Sequence, residues 1–207
     1  MKTVFLHGLG HTAKVWVGII NDSSLTDTDC PELFLKRKQG NLTYQKLLDD
    51  LSEEYADAKE PFAICGHSLG AVLALDYTIK HSPKVASLIL IAGQYKTPEF
   101  LLYLQCCMFR CMPQKAFQST GITKSDMISL MGSMHGLNFR EKLKSVSCPV
   151  TIICGEKDQA NRKASEQMSR LFLNAKLYII PDAGHEVNKE KPQEIAEIIS
   201  SIMAAID

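Results

Sequence analysis

Between the apolar run Pro61-Phe62-Ala63-Ile64-Cys65 and a second apolar run that starts at Ala71 stands the pentapeptide Gly66-His67-Ser68-Leu69-Gly70. A strand, a sharp turn and a helix must follow one another within a few residues there, and glycine two positions to either side of the serine leaves room for such a turn. The pattern is that of a nucleophile elbow. It strains the serine backbone, lifts the Ser68 hydroxyl above the sheet edge, and places the Leu69 N–H in the first helical turn, where it has no intrahelical acceptor. An oxyanion forming on a bound substrate finds a donor in that N–H.

The rest of the chain repeats the alternation. Thr3 to Leu6, Leu33 to Leu35, Phe62 to Cys65, Ser87 to Ile91, Val150 to Cys154 and Lys176 to Ile180 read as strands. Most are continuous apolar runs, as strands buried on both faces should be. Leu42 to Ala56, Ala71 to His81, Arg162 to Phe172 and Pro192 to Ala205 carry helical spacing, the last with proline near its first turn. The expectation is an α/β fold, a doubly wound, mainly parallel sheet of about six strands, with ligand chemistry on the loops at the carboxyl ends of the strands. Tyr95 to Ser147 offers no convincing strand but has helical pieces at Pro98 to Met112, Lys124 to His135 and Asn138 to Leu143. It is expected to form a small helical cap inserted into a single domain spanning 1–207.

Composition limits the partners. Lys+Arg and Asp+Glu each number 23, so no broad field draws nucleic acid or an anionic membrane, and a small neutral substrate fits better. No run of about 18 apolar residues and no signal peptide is found, which leads to the expectation of a cytoplasmic protein without a membrane span. Seven cysteines without an export signal read as reduced thiols. The sequence does not set the oligomeric state.

Two further loops complete the chemistry. Asp158 follows the strand Val150 to Cys154 through Gly155-Glu156-Lys157, and His185 follows Tyr178-Ile179-Ile180 in the loop Pro181-Asp182-Ala183-Gly184-His185. Serine, aspartate and histidine thus reach one sheet edge in that chain order. A neutral imidazole takes the Ser68 proton and returns it to the leaving group, while the carboxylate holds the ring tautomer; no metal or cofactor is called for. Glu156 and Asp182 are the rival acids, one soon after its strand and the other on the histidine's own loop. His7-Gly8-Leu9-Gly10 directly follows the first strand, and the Leu9 N–H is the candidate second oxyanion donor beside Leu69.

These residues, His7-Gly8, the elbow, Gly155-Glu156-Lys157-Asp158 and Ala183-Gly184-His185, resemble the α/β-hydrolase family over nearly the whole chain, as in a small, cap-bearing, carboxylesterase-like serine hydrolase. The resemblance implies a six-stranded sheet. It also implies a serine hydrolase acting on esters or thioesters of short to medium acyl chain, with C–C bond hydrolysis, lyase chemistry or ligand binding without turnover as alternatives on the same scaffold. One departure follows Leu35, where Lys36-Arg37-Lys38-Gln39-Gly40 stands in place of an Asp-x-x-Gly-His-Gly-like loop. The Lys36-Arg37-Lys38 run is either a solvated face or a contact for an anionic substrate.

The segment Phe100-Leu101-Leu102-Tyr103-Leu104 with Cys106-Cys107-Met108-Phe109 and Cys111-Met112 is apolar nearly all round, so it is expected to be buried or to cover something apolar, either roofing an acyl pocket or filling core volume. His7, Phe100, Tyr103, Met127 and Met131 are candidates for substrate contact. Cys106, Cys107 and Cys111 make a poor zinc pattern and read as packing.

Overall fold

The computed structural model describes residues 1–34, 41–120 and 122–206. Among them, six strands form one parallel sheet in the order β2-β1-β3-β4-β5-β6. The strands are β1 (Thr3–Leu6), β2 (Thr28–Asp29), β3 (Phe62–His67), β4 (Val85–Ile91), β5 (Val150–Gly155) and β6 (Ala175–Ile180). The reason for their apolar continuity lies in the pleat. Val4, Leu6, Ile64, Leu88, Leu90 and Ile152 turn to one core, against α2 (Tyr44–Glu54), α3 (Leu69–Lys80) and α6 (Gln159–Leu171). Their neighbours Phe5, Ala63, Cys65, Ile89, Ile91 and Ile153 turn to the other, against α1 (Val17–Asp22) and α8 (Pro192–Ala204).

The second strand lies earlier than the sequence suggested. Leu33 and Phe34 form a turn, and the edge strand is Thr28–Asp29, paired through Thr3↔Thr28 and Val4↔Asp29. Two polar residues leave no hydrophobic run to read, and Pro31 follows at once. The apolar Phe34 serves a side-chain contact instead: its ring meets that of His7 edge-on at 5.1 Å. Leu35 and the Lys36-Arg37-Lys38 run lie outside the described residues.

Strand order reverses between β1 and β3, which opens a crevice at their carboxyl ends, the usual ligand position in such sheets. Over that edge the chain makes its excursion between β4 and β5: α4 (Glu99–Cys111), a 3₁₀ stretch Gln114–Thr120, α5 (Lys124–Ser133) and a 3₁₀ turn Arg140–Ser145. The root of the excursion is tied by Thr97 N–H to the Leu137 carbonyl at 2.9 Å and by Phe139 N–H to the Tyr95 carbonyl at 2.8 Å. Of the two expectations for α4, burial on all sides is not found, and one stripe covers apolar side chains instead. Leu102 and Cys106 are buried against Met131, whereas Phe100, Tyr103, Leu104 and Met108 are exposed. The helix sits at the rim, where only one stripe of its surface has a neighbour.

All seven cysteines are free thiols. Among the described residues, no helix is long and apolar enough to cross a membrane.

Candidate active site

The elbow forms because two glycines allow backbones to touch. A Cβ on Gly66 would lie 2.2 Å from the Gly70 carbonyl oxygen, and one on Gly70 would lie 2.1 Å from that of Leu6. Any larger residue would force strand and helix apart. Ser68 takes up the resulting turn with φ 52° and ψ −113°, a conformation that costs a non-glycine residue about 1–3 kcal/mol. It also starts α3, its carbonyl accepting from the Ala71 N–H at 3.0 Å and the Val72 N–H at 3.2 Å.

Asp158 and His185 arrive from the neighbouring strands β5 and β6, which pair from Val150↔Ala175 to Gly155↔Ile180 and so bring their loops off the sheet at one level. Those loops are stitched together, Lys157 N–H to the Ala183 carbonyl at 2.8 Å and Asp182 N–H to Glu156 Oε2 at 3.1 Å. Asp158 also begins α6, Oδ1 accepting from the Asn161 N–H at 3.3 Å. The rival acids are occupied elsewhere, Glu156 in that stitch and Asp182 in an exposed ion pair with Lys157 at 3.1 Å.

The three side chains stand in a row. His185 Nδ1 lies 2.8 Å from Asp158 Oδ2, and His185 Nε2 lies 3.2 Å from Ser68 Oγ. The hydrogen bond to Asp158 raises the imidazole above its usual range against the opposing effect of burial. Burial works to raise the Asp158 carboxyl, yet the hydrogen bonds from His185 and Asn161 outweigh it and hold the acid below the usual carboxylate range. A carboxylate facing Nδ1–H leaves Nε2 as the acceptor toward the serine. Chemically, the row can take a proton from an attacking hydroxyl and return it to a departing group.

A cavity of about 300 Å³ opens beside Ser68, with Leu9 and Leu69 in its wall and an apolar end made by Val72, Leu102, Phe109, Met131, Met134 and Phe139. Of the five candidates for substrate contact, Met131 lines it. Phe100 and Tyr103 lie on the outer stripe of α4, exposed at 76% and 63%, and Met127 packs into the main core. His7 is fully buried beneath the loop, Nδ1–H donating to the Gly8 carbonyl at 3.0 Å and Nε2 accepting from the Leu33 N–H at 3.1 Å. It shapes the loop that carries Leu9 without reaching the cavity.

Sequence reasoning passed over His67. Its Nε2–H donates to the His185 main-chain carbonyl at 2.9 Å, which fastens the histidine loop to the elbow, and burial pushes its pKa down to about 4. Its ring lies against His11, and His11 Nε2 is 2.9 Å from Glu186 Oε2. Nothing in the pentapeptide distinguishes this histidine from a filler residue, since its acceptor comes 118 residues later. Among the described residues, His67, His185 and Glu186 bring three potential metal-ligating atoms within 4.8 Å of one another. His67 Nε2 and both ring nitrogens of His185 are engaged in the hydrogen bonds described, while His67 Nδ1 has no hydrogen-bond partner among the described residues.

Comparison with known proteins matches residues 43–131 to the serine aminopeptidase family S33. The chain is 22% identical to a Bacillus subtilis (strain 168) protein named "Putative 2-succinyl-6-hydroxy-2,4-cyclohexadiene-1-carboxylate synthase", over 98% of this chain and 90% of that protein. Among solved structures, a carboxylesterase of the thaumarchaeon Nitrososphaera gargenis superposes with a TM-score of 0.85 at 19% identity, covering 99% of this chain and 90% of the other. MenH from S. aureus gives 0.83 at 17% identity, covering 100% and 94%.

Proposed function

Given that the chain is an α/β-hydrolase by fold, we propose that it is a serine hydrolase cleaving carboxylic esters or thioesters of short to medium acyl chain through an acyl-enzyme. The observation that carries this reading is the row Ser68–His185–Asp158, with separations of 3.2 and 2.8 Å, at the mouth of an apolar-ended cavity.

In the reaction, Ser68 Oγ attacks the carbonyl carbon as His185 Nε2 takes its proton. The carbonyl π pair moves to oxygen, and the N–H groups of Leu9 and Leu69 stabilise the tetrahedral oxyanion, each such donor being worth about 3 kcal/mol of barrier. Collapse breaks the bond to the leaving alcohol or thiol, which receives the proton from His185. Water then attacks the acyl-serine with His185 as base, and the acid departs. Asp158 keeps Nδ1–H pointed inward and balances the imidazolium. The cavity's apolar end takes the acyl chain, and at about 300 Å³ it matches a small ligand. Residues 1–207 act in this reading as one domain, with 95–147 as its cap.

Lyase chemistry on the same side chains is the second reading. The alignment along 98% of the chain with a protein named as a carboxylate-forming synthase favours it. In it His185 takes a proton from carbon, the C–H pair forms a π bond and the group on the neighbouring carbon departs with its own bonding pair, so no acyl-serine forms.

The test is labelling with a fluorophosphonate, alongside turnover of p-nitrophenyl esters and of acyl thioesters from acetate to decanoate. Wild type labels and turns over short and medium chains; Ser68→Ala loses labelling and about 10⁴-fold or more in kcat. Labelling without ester or thioester turnover favours the lyase. Tight ligand binding with neither labelling nor turnover leaves a binding protein.

A further inference from the structure

Asp158 Oδ2 accepts two hydrogen bonds, one from His185 Nδ1 at 2.8 Å and one from Asn161 Nδ2 at 2.7 Å. The two donors lie 3.1 Å apart. Residue 161 also serves the other carboxylate oxygen through its main-chain N–H. Asparagine presents either an oxygen or an NH₂ to a neighbour, and here a second amide makes the choice. Gln94 Nε2 donates to Asn161 Oδ1 at 2.7 Å and to the Ala160 carbonyl at 3.1 Å. With Oδ1 occupied by that donor, Nδ2 is turned to the carboxylate. The reverse orientation would set a carbonyl oxygen against a carboxylate oxygen, and NH₂ against NH₂.

Gln94 itself stands where the cap leaves the sheet. It follows Ala92, whose φ of 50° marks the sharp exit from β4, and precedes the Tyr95 and Lys96 backbone that pairs with Phe139 and Asn138. Asn161 is 8% exposed, and both amides line the cavity. We propose that Gln94 and Asn161 are a pair of positioning residues that fix the Asp158 carboxylate toward His185 and tie it to the root of the cap. The proposal rests on the reading of Ser68, His185 and Asp158 as the reacting row.

The consequence is electrostatic. A carboxylate oxygen that shares its charge with the Asn161 amide holds the proton of His185 less firmly than one left to the imidazole alone. Loss of that amide keeps His185 protonated to higher pH, where it cannot act as base. The charged and titratable groups around His185 are Asp158 at the start of α6, Glu186 and Glu190 in the segment after β6, His67 at the end of β3 and His11 after β1. Of these, only Asp158 is hydrogen-bonded to either amide.

The experiment is the pH profile of kcat/KM for a soluble p-nitrophenyl ester, taken for wild type, Asn161→Ala, Asn161→Asp and Gln94→Ala. The acid limb is expected to move up by about half a pH unit in Asn161→Ala and about one unit in Asn161→Asp. In Asn161→Ala, kcat falls about tenfold with KM little changed. Gln94→Ala moves the limb the same way by less, because its amide touches neither Asp158 nor His185 and only frees Asn161 to turn. Thermal midpoints identify the folded variants. A limb that stays at its wild-type pH in every folded variant, whatever the loss in kcat, overturns the proposal. Should the Asn161 variants not fold, Gln94→Ala decides alone. Fluorophosphonate labelling of the same samples separates the two possible failures. Wild type that neither labels nor turns over removes the reacting row and the pair together; wild type that labels beside unshifted variants removes the pair only.

Discussion

The loops at the carboxyl edge of the sheet and the cap above them are both rich in apolar residues, yet they are held in different ways. The loops of Ser68 and Asp158 leave β3 and β5, which are paired on both sides, and that of His185 leaves the edge strand β6, which stays paired with β5 to Gly155↔Ile180, a few residues before Asp158 and His185. The cap is held at its root and along one stripe, with Leu102 and Cys106 buried against Met131 while the opposite face of α4 is open. Side chains whose separations must be right to a few tenths of an ångström sit on the first region. The wall that needs only an apolar surface comes from the second.

The sharpest way to break the comparison is to add one methyl group to each region. In the edge, Gly70→Ala puts a Cβ 2.1 Å from the Leu6 carbonyl oxygen, and Gly155→Ala puts one 2.2 Å from that of Gly184. Neither contact is with a flexible side chain that could swing away. Each variant is expected to lose about 4 kcal/mol or more in urea unfolding, or to fail to fold. In the cap, Gly132 lies within α5 and a Cβ there meets nothing within 4 Å, so Gly132→Ala is expected to gain about 0.5–1 kcal/mol. Equal effects from the two regions would remove the distinction.

A second test uses acid. His67 sits fully buried beneath the edge with its pKa at about 4, against about 6.5 for an unfolded histidine. Between those values the unfolded chain binds a proton that the folded chain refuses. The stability tied to this group is therefore complete above about pH 6.5 and is lost as pH falls toward 4, by about 3 kcal/mol. His67→Gln keeps an N–H donor for the His185 carbonyl and removes the ionisation. The difference in unfolding free energy between wild type and His67→Gln should narrow or reverse in favour of the variant from pH 7 to 4; a constant difference would refute the assignment.

The same contrast governs what could be read from the sequence. Five of the six strands were legible as largely apolar runs: β1, β3, β4 and β5 owe this to burial on both faces, and the part-buried edge strand β6 is read through Leu177 to Ile180. The exception, Thr28–Asp29, is a two-residue edge whose partner strand supplies all the hydrophobicity. Ser68, Asp158 and His185 were legible because strand ends constrain them. The supporting groups were not: His67 meets its acceptor only through the fold, and Gln94 sits 67 residues from Asn161. Asn161 did leave a trace, since a polar residue three places after the aspartate that begins a helix is well placed to meet it. In the cap the helices were found at Glu99–Cys111 and Lys124–Ser133, but their faces were not. Periodicity reports which face of a helix is buried only when the opposite face is polar, and α4 is apolar on both.

That ambiguity sets the last and smallest effects. Met131→Ala removes three non-hydrogen atoms from the cavity wall, and the preferred acyl chain should lengthen by about one to three carbons, with each methylene worth up to roughly 10–200-fold in kcat/KM. Phe100→Ser acts on the other face of the cap, where the ring is 76% exposed and outside the cavity lining. Its unfolding free energy should stay within about 0.5 kcal/mol of wild type and its acyl-chain profile should not move. A graded series of p-nitrophenyl esters measures both variants side by side. If Phe100→Ser shifts the chain-length optimum as Met131→Ala does, α4 turns during the reaction and its outer stripe belongs to the site; an unmoved profile leaves selection to the inner stripe alone.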